Sequence, residues 1–273
     1  MDFYNSRVDF LKEKLQFCNL EVISDLIYRI KINTEGLEIL RQSVINFYKS
    51  SINYELVNMT PNGMLVPKIE NEIEYESVLV SFYNVLKKHI LLSNYNKIVY
   101  PVVRYKTGKD NNTRDTKSEY AHCDAWAGWS SNSTLLYLPL SGDLKNNNIR
   151  MFDIPKNINQ SWLLPKNFKV AQHEEVQHCN MLEHLPEYGY LYIMDISVVH
   201  QTIRLKNSND RLSIDIPIFL KFKDNNVGYG SESTLDESIF KEIGRTVKFK
   251  AEYKMGEFDG ITGLKRPTYY KKI

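Results

Sequence analysis

Tyr190-Leu191-Tyr192-Ile193-Met194-Asp195-Ile196-Ser197-Val198-Val199-His200, followed by Arg211-Leu212-Ser213-Ile214-Asp215-Ile216, is the stretch that decides the fold. Both runs are short, rich in β-branched and aromatic residues, and bounded by turn formers, which is how strands read. Ile98-Val99-Tyr100 and Leu135-Leu136-Tyr137-Leu138 have the same texture upstream. Gly108-Lys109-Asp110-Asn111-Asn112 and Gly142-Asp143-Leu144-Lys145-Asn146-Asn147-Asn148 break the runs with turn chemistry. Many short strands separated by such loops predict an all-β sandwich or barrel over residues 97–222.

The flanks read differently. Residues 1–95 are predicted to be mostly helical, with Leu11, Leu15 and Cys18 at helical spacing and Leu37, Leu40, Val44, Phe47 and Tyr48 forming a second stripe. Thr34 is a candidate N-cap for that second helix. Thr60-Pro61-Asn62-Gly63 marks a turn. A third helix is expected from about Glu70 to Leu92, with Val78, Leu79, Phe82, Val85, Leu86 and Ile90 on its apolar face. Residues 223–273 form a polar extension, basic at Lys271-Lys272. The whole chain, 1–273, reads as one domain: a helical buttress, a β core and this extension.

Composition narrows the function. With 35 Lys+Arg against 33 Asp+Glu, the formal charge of +2 argues against a dedicated nucleic-acid binder. Hydrophobic residues at 42% and charged residues at 25% fit a globular protein. No apolar run is long enough to cross a membrane, and the N-terminus lacks the pattern of a secretory signal. Cys18, Cys123 and Cys179 are odd in number and widely spread, as expected of reduced thiols in a cytoplasmic protein. A small-molecule partner is the expectation that remains; oligomeric state is not encoded legibly.

The chemistry sits in a few positions. In His122-Cys123-Asp124, an extended backbone would point the imidazole and the carboxylate to one face. His200, at the end of the strand-like run above, can supply a third ligand. Two imidazoles and a carboxylate on one face of an octahedron are the donor set of non-haem Fe(II) oxygenases. Eleven residues on, Arg211 and Ser213 share a face by the same alternation. A guanidinium fork matches a carboxylate with two parallel hydrogen bonds, and a serine hydroxyl adds a donor.

Blander readings stand beside these. His122 and Asp124 can form a surface turn without metal, and His200 can be a satisfied core histidine. Arg211 can pair with Asp215 or Asp195, and Asp195 itself reads as structural. His173-Glu174-Glu175 with His178, Cys179 and His184 lacks the paired spacing of structural zinc and reads as a polar loop or edge strand. Cys123 points away from its neighbours and is expected to pack. Trp126 and Trp129 either line a substrate pocket or seal the barrel mouth. Arg104, Arg114 and Arg204 either reach an anionic substrate or are solvated charges. Tyr100, Tyr105, Tyr137 and Thr134 are further candidates for a polar contact in the core.

His122-x-Asp124, His200 and Arg211-x-Ser213, in this order, resemble the Fe(II)/2-oxoglutarate-dependent dioxygenases. The likeness covers roughly residues 97–222. Gly189 matches the turn that opens the strand bearing the family's last histidine. The stretch from His122 to Trp129 and on to Leu138-Pro139-Leu140 is similar to the phytanoyl-CoA-hydroxylase-like and biosynthetic oxygenase branch. The resemblance implies a mainly β fold with α: a double-stranded β-helix (jelly-roll, cupin-like) core with an N-terminal helical layer. It implies Fe(II) on His122, Asp124 and His200, and 2-oxoglutarate anchored by Arg211 and Ser213. It also implies reaction with O2 to release succinate and CO2 while a small biosynthetic metabolite, such as a sugar or natural-product intermediate, is hydroxylated. Trp126, Trp129 and Arg104 are its candidate substrate-binding residues. Two other functions fit the same scaffold: a cupin-like metal-dependent isomerase or hydrolase, and a non-catalytic carbohydrate-binding module.

Overall fold

A computed structural model describes residues 2–15, 19–53, 58–59, 63, 65–66, 72–89, 95–99, 102–110, 119–127, 133–164, 166, 173–220, 257–258, 265–266 and 270–272. In chain order the elements are α1 (Phe3–Leu15), β1 (Glu21–Ser24), β2 (Ile27–Lys31), α2 (Thr34–Asn53), β3 (Asn58–Met59), β4 (Leu65–Val66), α3 (Glu72–His89), β5 (Tyr95–Val99) and β6 (Val102–Lys106). There follow β7 (Ser133–Gly142), β8 (Asn147–Asp153), β9 (Asn180–Met181), β10 (Tyr190–Asp195), β11 (His200–Arg204), β12 (Arg211–Leu220), β13 (Glu257–Phe258), β14 (Lys265–Arg266) and β15 (Tyr270–Lys272). No described helix is long and apolar enough to cross a membrane.

The fold is mainly β, with antiparallel sheets. The larger sheet runs β1-β2-β10-β7-β12-β5-β15, with β6 also paired to β12, and a smaller one runs β11-β8-β9. From β7 to β12 the chain moves between them: β7, β10 and β12 lie in the larger sheet, β8, β9 and β11 in the smaller.

Strand alternation explains how the sheets pack. In β7, Leu136, Leu138 and Leu140 belong to one buried cluster while Leu135 and Tyr137 belong to another. In β10, Leu191 and Ile193 go with the first and Tyr192 and Met194 with the second. The first cluster includes Leu11 and Leu15 of α1, Leu37, Leu40, Val44 and Phe47 of α2, and Val78, Phe82 and Leu86 of α3. The helices therefore cover the outer face of the larger sheet. The second cluster joins that sheet's inner face to Ile149 and Met151 of the smaller one. Each fully buried aliphatic side chain contributes about 1.5–3 kcal/mol, so the larger sheet is fixed from both faces.

The N-terminal third is less helical than its periodicity predicts. β1 and β2 interrupt it, and β2 pairs with β10 from Tyr190↔Lys31 to Met194↔Ile27. The cap of α2 is Asn33 rather than Thr34. Its Oδ1 accepts from the Glu35 and Gly36 amides at 3.1 and 3.2 Å. α3 runs from 72 to 89, within the expected span. It lies antiparallel to α2, since Ser43 meets Ser81 at 3.0 Å and Phe47 stacks on Tyr75 at 5.2 Å. Cys18, Thr60, Pro61, Asn62 and Ile90 lie outside the described residues, while Gly63 takes a positive φ of 79°. Gly189 also has a positive φ, 92°, but it opens β10; His200 begins the next strand.

Asp195 is structural. Arg7 of α1 donates to both of its oxygens, at 3.2 and 2.6 Å, and the pair is buried. The same carboxylate accepts from the Ser197 amide and hydroxyl at 2.9 and 2.6 Å, shaping the turn that leads to His200. Asp195→Ala would leave a buried guanidinium uncompensated. We expect a loss of about 3–5 kcal/mol in chemical denaturation; a loss below about 1 kcal/mol, the range of exposed pairs, would contradict this.

Candidate metal centre and anion pocket

Two segments far apart in sequence meet at one bridge. The His122 amide donates to the His200 carbonyl at 3.0 Å, and the His200 amide to the His122 carbonyl at 2.8 Å. This reciprocal antiparallel bridge puts the two imidazoles side by side, ring centroids 4.7 Å apart. Asp124 begins a 3-10 turn, Asp124–Ala127, rather than continuing an extended strand. That turn still brings its carboxylate back: Asp124 Oδ1 is 4.0 Å from Nε2 of both His122 and His200. One ligand atom from each residue lies within 4.8 Å of the others. Among the described residues this is the one such group of three or more.

The tautomers follow from the partners. Nδ1 of His122 is 2.7 Å from the Tyr120 carbonyl, and Nδ1 of His200 is 3.3 Å from that of Val198. A carbonyl only accepts, so each Nδ1 carries the proton and each Nε2 offers its lone pair toward the Asp124 carboxylate. Such second contacts orient metal-binding imidazoles. His122, Asp124 and His200 thus form a group able to hold one metal ion.

Buried aromatics fix this arrangement. Trp126 is fully buried within the turn that Asp124 opens and donates its indole N–H to the Trp162 carbonyl at 2.6 Å. Trp162 in turn donates to the Ser197 carbonyl at 3.0 Å, and the two indoles pack 5.4 Å apart. A rigid aromatic pair therefore links the Asp124 turn to the turn before His200. Cys123, between two ligands, is fully buried in the inner core, and burial raises its thiol pKa well above the usual value.

The second feature lies on β12. Leu212 and Ile214 face the helices, so Arg211, Ser213 and Asp215 face inward. Arg211 is 1% exposed and Ser213 fully buried. Nε and both Nη atoms of Arg211 have no hydrogen-bond partner among the described residues. The Ser213 hydroxyl lies near Tyr137 but makes no hydrogen bond of normal geometry. Tyr137 donates to Asn148 at 2.9 Å, and the Arg211 guanidinium lies 5.7 Å from its ring centroid, within cation–π range. Burial, first of all, pulls the Arg211 pKa down. Buried polar atoms are almost always bonded, so three orphaned cationic nitrogens mark a place for an anion.

The carboxylates offered as partners for Arg211 are engaged elsewhere. Asp215 binds Arg104, at 2.7 Å from Nε and 2.5 Å from Nη2, and Asp195 binds Arg7. Arg104 is therefore committed to a structural ion pair. Arg204 binds Glu119 at 2.6 Å. Thr134 shares the helix-facing side of β7 with Leu136. Tyr105 packs beside the helices, and its hydroxyl donates to Asp210. Trp129, Arg114 and Tyr100 lie outside the described residues. His173 packs edge-on against Trp126, His184 meets the Tyr192 hydroxyl at 3.0 Å, and His178 is exposed beside Gln177.

One residue escaped the sequence reading: Lys106, 2% exposed and directly opposite Arg211 in the β6–β12 register. Its signal was its phase with Val103, which is wholly buried on the helix side and so sends Arg104 and Lys106 inward.

No family model and no curated protein matches the chain. Among solved structures it is similar to the non-heme alpha ketoglutarate dependent epimerase SnoN from nogalamycin biosynthesis, at 9% identity over 79% of this chain and 83% of that one, TM-score 0.46. It is similar to the carbocyclase SnoK from the same biosynthesis, described in the same terms, at 9% over 91% and 93%, TM-score 0.46. EctD from S. alaskensis with bound Fe is 12% identical over 77% and 75%, TM-score 0.47. At these identities and TM-scores the likenesses carry no further argument.

Proposed function

We propose that this chain is an Fe(II)- and 2-oxoglutarate-dependent oxygenase built as a single domain on a double-stranded β-helix, hydroxylating a small biosynthetic metabolite. The passage of the chain between two sheets from β7 to β12 supports the jelly-roll reading. The observation that carries the function is the presence, in one chain, of a two-imidazole, one-carboxylate group and a buried guanidinium with no hydrogen-bond partner among the described residues. A Lewis-acid isomerase or hydrolase uses the metal but has no need of Arg211, and a carbohydrate-binding module needs neither feature.

The residues present fit the cofactors. His122, Asp124 and His200 supply the facial donor set that suits Fe(II) and leaves positions open for other ligands. Iron held there would supply the oxidation by O2, coupled to conversion of 2-oxoglutarate to succinate and CO2. Arg211 supplies two parallel donors for the far carboxylate of the cosubstrate, with Ser213 beside it. Trp126, fully buried, backs the Asp124 turn, and we assign it to holding the site's shape. The free thiols of Cys123 and Cys179 accord with work in a reducing cytoplasm.

Anaerobic calorimetry tests this reading. We expect 2-oxoglutarate to bind the Fe(II)-loaded protein and to lose that binding when a chelator removes the metal. In air, the loaded protein should convert 2-oxoglutarate to succinate. Binding indifferent to metal, or turnover that continues without O2, would refute the proposal.

A further inference from the structure

The three ligand side chains are not held alike. His122 and His200 each have a carbonyl at Nδ1, and a reciprocal backbone bridge joins them. Among the described residues the Asp124 carboxylate meets only those two imidazoles, at 4.0 Å from each. A ligating carboxylate is ordinarily held by a hydrogen bond of its own, so here its place depends on the turn that carries it. That turn, Asp124–Ala127, is fixed through Trp126. The Trp126 amide donates to the Cys123 carbonyl at 3.1 Å, and its indole N–H donates to the Trp162 carbonyl at 2.6 Å. Trp162 sits in a second 3-10 turn, Gln160–Leu163, capped by Asn159, whose Oδ1 accepts from the Ser161 amide at 2.9 Å and hydroxyl at 2.6 Å. The Trp162 indole N–H in turn donates to the Ser197 carbonyl at 3.0 Å. Ser197 is pinned by Asp195, and the next carbonyl along, that of Val198, is the one that orients His200. Trp126, Trp162 and Ser197 are all buried.

We propose that Trp162 is a positioning residue of the metal centre: its carbonyl and its indole N–H together tie the Asp124 turn to the turn after Asp195, so that one residue sets the carboxylate ligand against His200. This rests on the metal centre of the function proposed above and adds to it a residue that acts through the two turns. The chemistry of the ring matters as well as its bulk. A phenyl ring fills an apolar core but has no N–H to give, whereas an indole packs and donates at once. A donor lost from this interior leaves the Ser197 carbonyl unsatisfied, which a buried acceptor avoids by shifting toward another partner. Such a shift alters the 4.0 Å separation of Asp124 Oδ1 and His200 Nε2, on which shared coordination of one ion depends. The same relay reaches α1, because Arg7 holds the Asp195 carboxylate that pins Ser197.

The test is titration of the full chain with Co(II), whose visible absorption reports the number and geometry of its donors. Trp162→Phe keeps the carbonyl that Trp126 uses and removes the N–H that Ser197 uses. Its Co(II) affinity should fall roughly 10- to 100-fold, the range for partners that orient metal ligands, and the spectrum of the loaded variant should change. Trp126→Phe cuts the relay at its other bond and should do the same. The two bonds act in series, so the double variant should lose no more than about either single one. Ile154→Ala opens a cavity in the same inner core outside the relay; it should melt lower and keep both affinity and spectrum. Trp162→Phe with unchanged affinity and spectrum, losses that multiply in the double variant, or an equal loss in Ile154→Ala each overturn the inference and leave the proposed function standing. If Trp162→Phe lacks a cooperative melt, Trp126→Phe reads the same relay against the same control. A wild type that binds neither Co(II) nor Fe(II) removes both.

Discussion

Asp124→Ala should lower Fe(II) affinity by roughly a hundredfold or more, beyond the ~10–100-fold that changes in outer-shell partners cost. The reasoning is geometric. His122 and His200 are held by their own backbone bridge and by carbonyls at Nδ1, so both imidazoles stay in place when the carboxylate is removed. What is lost is the single anionic donor, 4.0 Å from each Nε2. Two neutral imidazoles remain, a set that binds hard divalent cations less well and suits copper or zinc at least as much as iron. The Asp124 side chain is partly exposed, so its removal leaves no buried charge behind. The metal-free variant should therefore melt within about 0.5 kcal/mol of wild type, as surface changes do. Equilibrium dialysis with Fe(II), beside a thermal melt, checks both halves. Unchanged iron affinity would remove the metal centre from consideration; a collapsed fold would show that Asp124 is structural.

The strands of the core were legible because a half-buried strand writes its two faces into alternate residues. Leu212 and Ile214 against Arg211 and Ser213 is that pattern, while β7, apolar on both faces, was legible as a short aliphatic and aromatic run bounded by turn formers. β2 was not legible, because Ile27, Tyr28 and Ile30 are buried on both of its faces while Arg29 and Lys31 interrupt the apolar run, so its five residues show neither clean alternation nor a continuous apolar stretch. The break before His200 was hidden for a related reason. The turn after Asp195 is itself buried, so Ile196, Val198 and Val199 continue the apolar run straight through it. Asp124 shows a different limit. The residue types predicted a shared ligand site, while the extended backbone assumed for them is in fact a 3-10 turn. Lys106 was missed because a lysine at a strand end ordinarily reads as solvated. Only the strand phase set by Val103, together with a partner strand far away in sequence, turns it inward.

Arg211→Met should change two quantities in opposite directions. The metal-free protein buries this guanidinium with none of its nitrogens bonded among the described residues, while Lys106 faces it across the strand pair. Burial already draws its pKa down, which is the mark of a charge held at a cost. Methionine has similar reach, no charge and a flexible fit. Replacing buried charges with apolar side chains of similar volume is often neutral or stabilising by about 1–4 kcal/mol, so the unliganded variant should melt no lower than wild type and is expected to melt higher. Cosubstrate binding should move the other way. Truncating one partner of a buried, hydrogen-bonded charge pair costs about 2–5 kcal/mol, and 1.4 kcal/mol is a factor of ten. The affinity for 2-oxoglutarate should thus fall roughly 30- to 5,000-fold, while Fe(II) binding, which uses other side chains, is unchanged. Arg211→Lys restores a charge but not the parallel pair of donors, so it should recover only part of the affinity. Thermal melts of the metal-free proteins and calorimetry of the loaded ones read the two effects separately. A structural arginine would give the reverse result, with stability lost and ligand affinity kept. Higher stability with lost binding is the signature of a side chain retained for its ligand at the expense of the fold.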